Sequence, residues 1–122
     1  MLLPHEQLTS AARSGNIEGV QSLLNQGISV NAPNIYGETP LHFIARSGKK
    51  NMAQLFLDRK ASVNIKDCDQ HTPLHYAAEY GNEEVAMLFL KYGADIEARD
   101  MYGGTPLLTA VYYKQRNRLT FK

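Results

Sequence analysis

The amino-acid sequence predicts an all-α solenoid, in which short helix-turn-helix units stack side by side and hairpin-like turns project from one edge. Three observations carry this. Thr-Pro-Leu recurs at Thr39, Thr72 and Thr105, 33 residues apart each time, and a fixed period of that length marks a repeat array. Aligning 34–66 with 67–99 gives 11 identities, spread from Thr39 over Thr72 to Ala61 over Ala94. The segment that closes a unit is apolar on more than one side, which suits a helix sandwiched between neighbours.

The first unit, about 1–33, lacks the Thr-Pro start. It keeps the rest, because LTSAARSG at 8–15 lies over LHFIARSG at 41–48. In the second and third units, about 34–66 and 67–99, the hydroxyls of Thr39 and Thr72 can cap a helix. Pro40 and Pro73 then take the first helical position, where a missing N–H costs nothing. Gly81 ends that helix about two turns on. A second helix follows over about Glu83–Tyr92, with Glu83 and Glu84 at its positive end, Lys91 at its negative end and Gly93 available for a left-handed close. Val85, Leu88, Phe89 and Tyr92 fall at helical spacing, while Ala86, Met87 and Leu90 fill the other sides. The stretch ADIEARDMYGG then suits an extended arm and a tight hairpin.

Two positions break the pattern. Lys60 stands where Gly27 and Gly93 do, and Gln70 where Gly37 and Gly103 do. A left-handed backbone there costs a side-chain-bearing residue about 1 kcal/mol. The fourth unit, about 100–122, is incomplete. Thr105 and Pro106 open it, but Leu108 replaces His, Lys114 replaces Gly, and QRNRLTFK supplies only part of a second helix. Solenoid ends need polar caps, whereas this one is expected to leave Leu88, Phe89, Leu107 and Val111 with little cover. A longer array, a tail folding over the end, or end-to-end association with a partner or second copy would each cover it.

Length and composition fit one folded domain spanning 1–122. Apolar residues make up 43%, charged residues 20%, and the mean hydropathy is −0.36. Thirteen basic and twelve acidic residues leave a net charge of +1, which gives no field for gathering nucleic acid or an anionic membrane. The basic tail of Lys114, Arg116, Arg118 and Lys122 reads as a solvated end. A single cysteine forms no internal disulfide. MLLPHEQ is too short an apolar run for a signal peptide, and no run approaches the roughly 18 residues of a membrane span. An intracellular protein, cytoplasmic or nuclear, is expected.

The period and the TPLHFIA and TPLHYAA strings resemble an ankyrin repeat array over about residues 5–113. The resemblance implies a cupped hand whose projecting turns are fingers and whose first helices are the palm. It also implies a protein-binding role as adaptor or inhibitor, either alone or as the recognition part of a larger protein or effector. Thr39, Pro40, His42, Thr72, Pro73, His75, Thr105 and Pro106 are then framework, with His42 and His75 hydrogen-bonding around the helix start and toward the adjoining turn. Partner contacts are expected at Tyr36, Glu38, Asp69, His71, Met101 and Tyr102 on the fingers. On the palm they are expected at Arg46, Ser47, Glu79, Tyr80, Tyr112 and Tyr113. Five of the seven tyrosines fall in such slots, and tyrosine offers a large contact area with little entropy to lose. Phe43 and Tyr76 are expected to be half buried between units.

DCDQHTPLH, residues 67–75, competes with this reading, because Cys68, His71 and His75 are spaced closely enough to converge on zinc. The repeat register explains them more simply. Cys68, Asp69 and His71 lie over Ile35, Tyr36 and Glu38 and over Met101, Tyr102 and Gly104, so no ligand set recurs. The chain also has no glycine-rich phosphate loop, HExxH or GxSxG. Neither catalysis, metal nor cofactor is expected.

Overall fold

The computed structural model describes residues 2–120, with side chains through Arg116. Its helices run α1 (Pro4–Ser14), α2 (Ile17–Asn25), α3 (Pro40–Ser47), α4 (Lys50–Asp58), α5 (Pro73–Glu79), α6 (Glu83–Lys91) and α7 (Pro106–Thr120). The first helices α1, α3, α5 and α7 pack on one another in chain order. α2, α4 and α6 each pack on the first helix of their own unit, and α4 also meets α6. No strand occurs among the described residues, and the projections are hydrogen-bonded turns.

Local chemistry explains the helix boundaries. Proline opens α1, α3 and α5, and the Asn16 side chain caps α2 by accepting from the Gly19 N–H at 2.9 Å. Gly15, Gly48 and Gly81 have φ of +78°, +72° and +69°, the left-handed geometry that reverses the chain between the two helices of a unit. Lys114 holds the corresponding place in the fourth unit, and there the chain does not turn. The expected break before QRNRLTFK is therefore absent: α7 runs on as one helix through Thr120, while Phe121 and Lys122 lie outside the described residues.

The core is a line of apolar contacts running through the stack. Leu8 and Val20 begin it, Leu41, Met52 and Phe56 continue it, and Leu74, Val85 and Phe89 extend it, all buried. Full burial of each large side chain contributes roughly 1.5–3 kcal/mol. The expectation that Leu88 and Phe89 lack cover is overturned. Phe89 has no exposed surface and Leu88 very little, because α4 and α5 pack on that face of α6. The opposite face is the open one. Met87 is 69% exposed and Leu90 is also open, so α6 is covered on one side rather than sandwiched; on α7, Leu107 (71% exposed) and Val111 are open as expected.

Side chains in the arms tie successive units together. Asn31 Oδ1 accepts from the Ser62 N–H at 2.9 Å. One period on, Asn64 Oδ1 accepts from the Asp95 N–H at 2.8 Å and its Nδ2 donates to the Gly93 carbonyl at 3.1 Å. Lys60 (φ +70°) and Gln70 (φ +63°) are the non-glycine residues with left-handed backbone among those described. Among the described residues, no helix is long and apolar enough to cross a membrane.

Candidate functional site

The three projecting turns share one design. Asn34, Asp67 and Asp100 each turn a side-chain oxygen back on the chain. Asn34 Oδ1 accepts from the N–H groups of Tyr36 (2.9 Å) and Glu38 (3.0 Å). Asp67 Oδ1 accepts from Asp69 (2.9 Å) and His71 (3.0 Å), and Asp100 Oδ1 from Tyr102 (2.9 Å) and Gly104 (2.8 Å). Such side-chain turns substitute for a backbone turn. Neighbouring turns are joined by Cys68 N–H to the Tyr36 carbonyl (2.9 Å) and Met101 N–H to the Asp69 carbonyl (3.0 Å). The tips thus form a continuous ridge.

The ridge is anchored to the helices by two buried histidines. The Thr39 backbone N–H donates to His42 Nδ1 at 3.0 Å, which makes Nδ1 an acceptor and places the ring proton on Nε2. That Nε2–H donates to the His71 carbonyl, 3.0 Å away in the next turn. His75 repeats the arrangement with Thr72 N–H at 3.0 Å and the Gly104 carbonyl at 2.8 Å. Burial pushes the pKa of both rings below the ordinary histidine value, against the opposing pull of the carbonyl hydrogen bonds.

The twelve expected contact residues separate into groups. Tyr36 is 62% exposed and Tyr102 88%, and Met101, Asp69, Ser47, Tyr80 and Tyr112 are also exposed. Tyr113 and Glu79 are half buried. Glu38, Arg46 and His71 are engaged internally. Arg46 is ion-paired with Glu38, and its guanidinium lies 5.1 Å from the Phe43 ring centroid and 4.2 Å from that of Tyr76. Burial opposes ionisation of Glu38, yet hydrogen bonds from Asn34 and Arg46 and the Arg46 charge hold its carboxyl below the usual range. His71 Nε2 lies 3.2 Å from Asp100 Oδ2. Phe43 is half buried as expected, whereas Tyr76 is almost fully buried and donates its hydroxyl to buried Asp67, a hydrogen-bonded anchor that the turn position of Asp67 did not reveal.

Among the described residues, no three of His, Cys, Asp and Glu converge as metal ligands. Both ring nitrogens of His75 are used by the fold, and Cys68 Sγ faces the Ile35 carbonyl at 3.9 Å.

Two surface concavities flank the face formed by the first helices and the turns. Near the N-terminus, Arg13, Phe43, His5 and Glu6 line one. At the other end Glu79, Asp100, Tyr102, Leu108, Tyr112 and Tyr113 converge on a pocket of about 550 Å³. Leu108, which departs from the histidine pattern, stands one helical turn from Tyr112 and so shares its face, a signal present in the sequence. No curated protein matches the chain. The model describing ankyrin repeats in three copies matches residues 8–100 and 63–120, and with the stacked helical pairs above this establishes that the chain belongs to the ankyrin repeat family.

Proposed function

We propose that residues 1–122 act as one repeat domain and bind a partner protein, as an adaptor or inhibitor, through the turn ridge and the adjoining face of the first helices. The observation that carries this is the row of outward-facing tyrosines. Tyr36 and Tyr102 project from turns, and Tyr80 and Tyr112 stand exposed on or just after the helices, while Thr39, His42, Thr72 and His75 of the framework are buried. Exposed aromatic side chains on a braced backbone lose little freedom on binding. The uses found for His42, His75 and Cys68 support a binding role over catalysis. The lone free cysteine suits a reducing compartment, cytoplasmic or nuclear.

The test is affinity capture from source cells with the native chain and with a variant carrying Tyr36, Tyr80, Tyr102 and Tyr112 as alanine, matched for helicity. A protein held by the first and lost by the second is the expected result. Equal retention by both overturns the tyrosine face as the binding surface.

The open face of α6 and α7 supports a second reading, in which the domain is one segment of a longer assembly or self-associates there. Leu74, Ala77, Ala86, Leu90, Ile96 and Leu107 line a groove of about 400 Å³. One period earlier, Leu41, Ala53, Leu57 and Leu74 occupy the same register and are buried. Sedimentation at rising concentration distinguishes a self-associating end from a monomer.

A further inference from the structure

We propose that the pocket between α5, α7 and the turn at Asp100–Gly104 accepts a cationic side chain of the partner protein, a lysine ammonium or an arginine guanidinium. The proposal rests on the protein-binding reading and specifies what one part of that surface takes.

The aromatic geometry is that of a corner. The Tyr112 and Tyr113 rings meet at 86° with centroids 5.0 Å apart, and Tyr102 from the turn lines the same space. Aromatic faces carry negative potential and attract cations lying within about 6 Å of the ring centroid. Two carboxylates complete the lining. Glu79 reaches in from α5 and Asp100 from the turn. Burial raises the pKa of the Tyr113 hydroxyl, and the Glu79 charge, next in effect, raises it further, which places that carboxylate within electrostatic reach of the ring. Burial also opposes ionisation of Asp100, but hydrogen bonds from the Gly104 and Tyr102 N–H groups hold its carboxyl below the ordinary value. Glu79 therefore favours positive charge, whereas Asp100 already shares its Oδ2 with His71 Nε2, 3.2 Å away on the same lining.

The chain uses this chemistry on itself one unit earlier. Arg46 lies over Phe43 and Tyr76 and pairs with Glu38, so aromatic faces and a carboxylate there already have their cation. The repeat register places Glu79 where Arg46 stands and Tyr112 one period further. A side chain that supplies a cation in the second unit is thus exchanged for one that attracts it in the third. At the N-terminal end of the same face, Arg13 adds a second guanidinium 5.4 Å from the Phe43 centroid. Arg13 and Arg46 stand on α1 and α3 with Glu6 and Glu38 near them, and the tyrosine corner stands on α7 beside Glu79. Arg116 is the chain's own cation acting on Tyr113, and an incoming cation competes with it.

The test is an aromatic-ring NMR titration of the whole chain with tetramethylammonium chloride. Sodium chloride at equal ionic strength and neopentyl alcohol, a neutral analogue of similar size, are titrated beside it. Saturable shifts of the Tyr112 and Tyr113 resonances with tetramethylammonium alone are expected. Tyr113→Leu and Glu79→Gln should each weaken the binding about fivefold at unchanged helicity, and Arg116→Gln should bind at least as tightly as the native chain. Equal shifts with neopentyl alcohol, no saturable shift, unweakened binding by Glu79→Gln, or weaker binding by Arg116→Gln overturns the proposal. Capture of a partner that depends on Tyr36 and Tyr80, together with failure of tetramethylammonium, overturns the pocket and leaves the binding module standing. Cation binding with no captured partner does the reverse.

Discussion

Acidification from pH 7.5 to 5.5 should weaken the folded chain by up to about 2.7 kcal/mol, and two buried histidines set that figure. His42 and His75 each accept a backbone N–H at Nδ1, an interaction an imidazolium cannot keep, and each is fully buried. Their pKa values lie below the ordinary histidine value of 6.5, with burial the largest cause. Around His42, Asp67 and Glu38 pull the pKa up and Arg46 pushes it down. Around His75, Asp100 raises it while His71 and Lys66 lower it. The net result for both is a folded state that binds fewer protons than the unfolded one. The stabilisation is complete above the unfolded value and is lost as pH falls from there toward the folded values. If both rings stay neutral in the fold, each contributes about 1.4 kcal/mol across the two pH units. That is a large share of the roughly 5–15 kcal/mol that holds a domain of this kind together. Urea unfolding followed by circular dichroism, at half-unit pH steps, reads it directly. A His75→Asn variant should start less stable and show about half the native pH slope. A stability that is flat between pH 7.5 and 5.5, or a slope unchanged in His75→Asn, refutes the assignment of neutral framework rings.

Other consequences are quickly checked. Lys60→Gly and Gln70→Gly should each raise the denaturation midpoint, by up to about 1 kcal/mol in stability. The left-handed backbone at φ +70° and +63° costs a side chain more than the extra freedom glycine gains when unfolded; a lowered midpoint refutes this. Thr72→Ala should cost about 1 kcal/mol, since the Thr72 hydroxyl lies 2.9 Å from His75 Nδ1 and 3.4 Å from the His75 N–H; an unchanged unfolding midpoint would remove the capping role. Cys68 is exposed and free, so a thiol reagent should label it in the folded state at a rate unaffected by mild urea. Labelling only on unfolding would place the thiol inside.

The period of 33 residues, the Thr-Pro starts and the closing glycines were enough to find the helical pairs and the left-handed positions at Lys60 and Gln70. These features act through local backbone preferences, which are written in the order of residues. The row of exposed tyrosines was legible for the same reason, because the register determines which face a helical residue occupies. Several outcomes depended on contacts between units. Lys114 in place of glycine signals trouble at the end of the fourth unit, but only the packed structure shows that α7 runs straight on. Apolar side chains all round α6 do not say which side finds a neighbour. Phe89 is buried and Met87 exposed because α4 and α5 cover one face. The pairing of Arg46 with Glu38, the burial of Tyr76 over Asp67, and the corner of Tyr112 and Tyr113 beside Glu79 join residues from different helices and turns. Their charges and rings were visible in the sequence, but burial and distance turn them into an internal brace or a surface pocket, and those are set by how the units stack.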